Sequence, residues 1–164
     1  MKTSFTGILK LSLDTNMISK LNFLQEQIVD ENPDFKPLPN DKLHITLIHQ
    51  SIFKGVNSKG EKLGKALSNL IKEGKLPEPT FNIELEDDIQ FANQGEKQSF
   101  YVNVKNQSTI KEYIKQIMSL IGGNQDPEPQ RVFHISLCNK TGSPFDSVAK
   151  VWEGKFIKSF GNFK

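Results

Sequence analysis

The feature that most constrains this chain is a strand pattern that occurs twice. Leu43-His44-Ile45-Thr46-Leu47 is short, apolar and alternating, and Phe133-His134-Ile135-Ser136-Leu137 repeats the order apolar, His, Ile, hydroxyl residue, Leu. Alternation of this kind predicts a half-buried strand. Successive strand side chains point to opposite faces. Leu43, Ile45 and Leu47 therefore turn toward a core and leave His44 and Thr46 together on the other side, and His134 and Ser136 are paired in the same way. The chain has three histidines, and two of them lie in this context.

The surroundings of the two strands are also alike. Residues 8–13 alternate and predict a strand, and Asp14 or Thr15 can cap a helix from Asn16 to about Asp30 whose Ile18, Leu21, Leu24, Ile28 and Val29 form one apolar stripe. A loop at 32–40 follows, and its three prolines deny both helix and ladder hydrogen bonds. Beyond the His44 strand the pattern predicts a helix at 58–73 closed by Gly74, a strand at 81–85, and a hairpin of 88–92 with 99–104. A helix at 109–121 capped by Ser108, a second proline loop at 126–129, the His134 strand, a short helix at 144–151 and an edge strand at 155–160 complete the order. Leu13, the end of the preceding strand, lies 31 residues before His44, and Val104 lies 30 before His134. The expectation is an α+β fold: one bilobal unit over 1–164, with a pseudo-repeat at about 1–75 and 98–160. Two antiparallel-rich sheets with outer helices would then bring the two motif strands together across a central cleft.

Two imidazoles facing one cleft can serve as general base and general acid in the same turnover, because an unperturbed pKa of about 6.5 lets both protonation states exist near neutrality. A hydroxyl two residues on shares each histidine's face, and Thr46 and Ser136 can donate hydrogen bonds to non-bridging phosphate oxygens. A phosphodiester held between the motifs would lose its leaving oxygen to one imidazole's proton while the other activated water or a ribose 2′-hydroxyl.

Paired His-x-Thr and His-x-Ser motifs in apolar strands, here His44-Ile45-Thr46 and His134-Ile135-Ser136 roughly 90 residues apart, resemble the 2H phosphoesterase superfamily. That resemblance implies a bilobal, metal-independent phosphodiesterase acting on 2′,3′-cyclic phosphates, 2′,5′ linkages or RNA ends, without a cofactor. The segment from Arg131 to Leu137, with 139–147 after it, is similar to small 2H proteins of T-even-type phages. These include anti-CBASS enzymes that open the cyclic oligonucleotide signals of bacterial immunity. The alternatives within this reading are RNA processing, at 2′,3′-cyclic phosphate ends or by 3′-end trimming, and a nucleotide-binding module without catalysis.

Arg131, Lys140 and Lys42 flank the motifs and can contact phosphate, while Phe53 and Trp152 are aromatic residues able either to stack on a base or to pack in the core. His49, five positions beyond His44, falls on the opposite face of a continuing strand and reads as a strand-end surface residue. Cys138 reads as a buried small residue. No Cys or carboxylate stands at zinc-ligand spacing in either motif, so no metal is expected. A net charge of +2 suits a small nucleotide or RNA-end substrate better than duplex DNA. No apolar run approaches membrane-spanning length. The N-terminal residues lack a signal peptide's apolar core, and a single cysteine cannot form an internal disulfide, so the expected setting is cytoplasmic. Oligomeric state stays open.

Overall fold

The first alternating stretch is already part of a sheet. Strand β1 (Lys2–Phe5) pairs with β2 (Leu9–Ser12), and helix α1 (Thr15–Glu31) follows, its N-terminus capped by the Asp14 carboxylate, which accepts from the Met17 N–H at 2.8 Å. Next come β3 (Lys36–Pro37), β4 (His44–Ile48), α2 (Ser58–Lys72), β5 (Leu85–Gln94) and β6 (Lys97–Val104). Helix α3 (Gln107–Ile121), β7 (His134–Asn139) and β8 (Lys155–Asn162) complete the order. The computed structural model describes residues 1–54, 58–153 and 155–162, without the side chains of 58 and 155–162.

Among the described residues the strands form two antiparallel sheets, β1-β2-β4 and β3-β7-β6-β5-β8. With three helices, the chain is α+β. Leu9, Leu11, Ile45 and Leu47 of the small sheet share one hydrophobic core with Val102, Ile135 and Leu137 of the large one. Helix α1 adds Leu21, Leu24 and Ile28, and α3 adds Ile110, Ile117 and Met118. Each such side chain, taken out of water, contributes about 1.5–3 kcal/mol. A smaller cluster of Ala92, Tyr101, Val148 and Val151, with Trp152 against it, sits on the opposite face of the large sheet. No helix among the described residues is long and apolar enough to cross a membrane.

Four local expectations are corrected. The first proline loop does join a ladder: Lys36 and Pro37 lie opposite Asn139 and Cys138, and the Leu38 N–H donates to the Leu137 carbonyl at 2.9 Å. Proline is tolerated there because β3 is an edge strand. The strand expected at 81–85 begins only at Leu85, because the Asn106 side chain takes the Asn82 carbonyl (2.7 Å) and the Glu84 N–H (2.9 Å). Asn106, not Ser108, stands at the N-cap position of α3, and those two bonds leave it without a capping bond. The helix expected at 144–151 shrinks to one 3-10 turn, Pro144–Asp146, since the next residues bond elsewhere: Ser147 Oγ accepts from Asn139, and the Val148 N–H donates to Ser99 Oγ. Helix α3 ends at Ile121, the last residue of the expected span, and Gly122 follows it in the left-handed region at φ 73°.

Candidate active site

Each motif strand pairs with the strand that precedes an intervening helix, β4 with β2 and β7 with β6. Ser12 lies opposite His44 and Lys10 opposite Thr46; Asn103 lies opposite His134 and Tyr101 opposite Ser136. Strand β4 ends its sheet on one side and runs close to β7 without joining its ladder. Alternation acts as expected: Ile45 and Leu47 are buried, while His44 and Thr46 are part-exposed. Lys42, His44, Thr46, His134 and Ser136 line one pocket. The same five belong to a larger cleft of about 410 Å³, whose walls add Lys10, His49, Gln50, Arg131 and Phe145.

The two imidazoles are held in the same way. His44 Nδ1 is 2.7 Å from the Lys42 carbonyl and His134 Nδ1 is 3.0 Å from the Val132 carbonyl, in both cases the carbonyl two residues upstream. A carbonyl only accepts, so Nδ1 carries the hydrogen on both rings, and Nε2 keeps its lone pair in the neutral form. Thr46 Oγ1 lies 3.2 Å from His44 Nε2 and donates to it in that state. Burial lowers both pKa values. His134, only 8% exposed, is brought down to about 4, chiefly by desolvation, with the charges of Arg131 and His44 adding to the effect and the bond to Val132 opposing it. His44 is also lowered by burial, the Lys42 carbonyl opposes this, and Lys10 and Lys42 add to it.

Side chains from α1 and α3 add to the backbone bonds of β7 and of the residue before it. Gln107 at the start of α3 accepts from the Phe133 N–H (2.8 Å) and donates to the Phe133 carbonyl (2.8 Å). Gln25 of α1 donates to the carbonyls of Leu38 (2.9 Å) and Leu137 (3.0 Å). Buried backbone groups need such partners. The Asn103 amide oxygen, on the residue opposite His134, is buried without a protein partner.

No family model matches this chain, and neither do any curated protein or solved structure.

Of the other residues singled out by the sequence, Arg131 lines the cleft, but its guanidinium is bound to Glu128 and lies 4.9 Å from the Trp152 ring centroid. Trp152 packs against the small apolar cluster, its ring 6.4 Å from that of His134, and it is not among the residues lining the cleft. Lys140 is not brought to the cleft; its Nζ sits 4.4 Å over the Phe35 ring. Phe53 is not brought there either: it is buried in the core against Phe5, ring centroids 4.7 Å apart. Cys138 is fully buried, and burial pushes its thiol up to about 12.

Several cleft residues lie outside the sequence reading of the site, Lys10 and His49 among them. Lys10 was one apolar strand's polar position, and only the β2–β4 register sets it beside Thr46. His49 escapes the parity argument because β4 ends at Ile48. Its side chain turns back, Nδ1 accepting from the Ser51 N–H at 3.2 Å, and its backbone N–H donates to Glu128. Among the described residues, no three His, Cys, Asp or Glu side chains are grouped to hold a metal ion.

Proposed function

We propose that this chain is a metal-independent phosphodiesterase for nucleotide substrates, of the 2H phosphoesterase type and with that superfamily's bilobal arrangement. The observation that carries the reading is that His44, Thr46, His134 and Ser136 line one pocket although the two motifs are distant in sequence. Both imidazoles direct Nδ1–H to backbone and leave Nε2 for chemistry, as a general base and a general acid require.

The roles follow from environment. His134 is held neutral by burial and is the base: its Nε2 takes the proton of the attacking hydroxyl, from water or an adjacent ribose, as the new O–P bond forms. His44 is the acid. The phosphodiester's negative charge offsets the repulsion of Lys10 and Lys42, so the bound complex favours the imidazolium, which gives its proton to the leaving oxygen as the old P–O bond breaks. Thr46 and Ser136 hold the non-bridging oxygens, and Lys10 and Lys42 offset their charge.

A cleft of about 410 Å³ lies at the small end of the usual ligand range. It supports a compact nucleotide, and the phage-type resemblance points to cyclic oligonucleotide signals. Turnover in EDTA of cyclic di- and trinucleotides, a 2′,3′-cyclic mononucleotide and a short RNA tests this. Cleavage of the cyclic oligonucleotides alone supports the signal-degrading reading, and cleavage of the cyclic mononucleotide or RNA end moves the chain to RNA processing. Activity that requires added metal, or that survives in both His44→Ala and His134→Ala, overturns the two-histidine mechanism. Binding without any turnover favours a non-catalytic module.

A further inference from the structure

Phe145 is 84% exposed, the most exposed of the large hydrophobic side chains identified among the described residues, and it stands in the wall of the cleft that holds both motifs. A single apolar residue in water is ordinary. What sets this one apart is the loop that carries it. Asn139, fully buried, donates to the Ser143 carbonyl (2.6 Å) and to Ser147 Oγ (2.9 Å), and its Oδ1 accepts from the N–H groups of Thr141 (3.1 Å) and Gly142 (2.6 Å). The Thr141 hydroxyl donates to Asp146 at 2.6 Å, and Ser143 Oγ caps the turn by accepting from the Phe145 N–H at 3.4 Å. Gly142 sits at φ +80°, where a Cβ would also meet the Pro37 carbonyl oxygen at 3.2 Å. Past the turn, the Val148 N–H donates to the buried Ser99 hydroxyl at 2.7 Å. The loop is fastened at both ends and across its middle, yet the ring it presents buries nothing.

We infer that Phe145 is a preformed stacking platform for the nucleobase attached to the phosphate held between His44 and His134, and so a determinant of specificity for base-bearing substrates. The inference rests on the nucleotide reading of the cleft. A flat apolar ring carried on a loop whose backbone is fixed in advance loses little backbone freedom on binding, a condition under which stacking adds affinity. Phenylalanine has no hydrogen-bonding atom in its side chain, so it accepts any base by its π-face, and larger purines should gain more than pyrimidines. The neighbouring wall is apolar too, with Pro144, Val148 and Ala149 beside it, whereas the lysines at 10 and 42 and the motif hydroxyls gather around the phosphate position. The cleft is thus divided between a part suited to an anion and a part suited to a base.

The test is calorimetric binding of adenosine 3′-phosphate and of base-free ribose 3-phosphate to the wild-type protein, Phe145→Ala and Phe145→Trp, with phosphodiester turnover measured separately. The wild type should bind the nucleotide more tightly than the sugar phosphate. Phe145→Ala should lose about 10- to 100-fold in nucleotide affinity, and with it most of that advantage, while Phe145→Trp retains it. An unaltered advantage in Phe145→Ala overturns the inference, even where the wild type hydrolyses phosphodiesters normally. So does a Phe145-dependent dimer in sedimentation, since the ring would then serve self-association. A wild type that binds the nucleotide through Phe145 but hydrolyses nothing keeps the platform and removes the catalytic reading. Failure to bind either compound overturns the platform, and the catalytic reading then stands or falls by the turnover measurement.

Discussion

Arg131 donates two hydrogen bonds to Glu128, from Nε at 2.9 Å and from Nη2 at 3.1 Å, and the Arg131 side chain is only 2% exposed. The same carboxylate accepts from the His49 N–H at 2.9 Å. One acidic side chain in the second proline loop therefore joins the residue after β4 to the residue three before β7. Glu128→Gln leaves a buried guanidinium without its counter-charge and should lower unfolding free energy by about 3–5 kcal/mol, read by urea denaturation. An unchanged midpoint would mean the pair fastens nothing.

Burial of His134 makes stability depend on pH in a defined direction. Its folded pKa of about 4 lies below the ordinary 6.5, so between these values the unfolded chain binds a proton that the folded chain refuses. This contribution is complete above pH 6.5 and is lost as pH falls toward 4, on the order of 3 kcal/mol in all. Denaturant midpoints measured from pH 7 to pH 4 should fall less steeply in His134→Gln than in the wild type.

On the proposed function, the motif hydroxyls hold phosphate and leave the base to the apolar wall of the cleft. Thr46→Val and Ser136→Ala should each lower kcat by about 100-fold or more, the usual loss when one donor to a developing oxyanion is removed. Thr46→Val also frees His44 Nε2 from its neighbour at 3.2 Å, so its pH–rate profile should shift where that of Ser136→Ala does not. Equal, small effects from both would place the phosphate elsewhere.

Phe53 supplies a control. It is 6% exposed and packs edge-on against Phe5, so Phe53→Ala should cost about 3–5 kcal/mol of stability. If the proposed activity is present, KM for the phosphodiester turned over should change by less than about twofold in the folded variant. A KM rise with no loss of stability would return Phe53 to the substrate.

Much of this arrangement is legible along the chain because its cause is local. Period-two alternation sets Ile45 and Leu47 against the core and turns His44 and Thr46 the other way, and Asp14 marks the start of α1 by the carboxylate it offers. Where the reading failed, a distant residue had changed the local balance. Asn106 holds 82 and 84 out of the ladder, and the edge of the large sheet accepts Lys36-Pro37, which local rules keep out of strands. His49 is the strand-end residue expected, since β4 stops at Ile48, but past that end strand parity no longer governs its side chain, which lines the cleft.

The sequence by itself determined which side chains share a face, because facing depends only on strand period. It therefore named His44, Thr46, His134 and Ser136 as two matched pairs. The tertiary structure alone decided that the pairs line one pocket, that Lys10 stands beside Thr46, that Arg131 is bound to Glu128, and that Phe145 is held out at the cleft wall. The physical reason is that register and sheet order come from the joint burial of segments far apart in the chain, which no local period encodes.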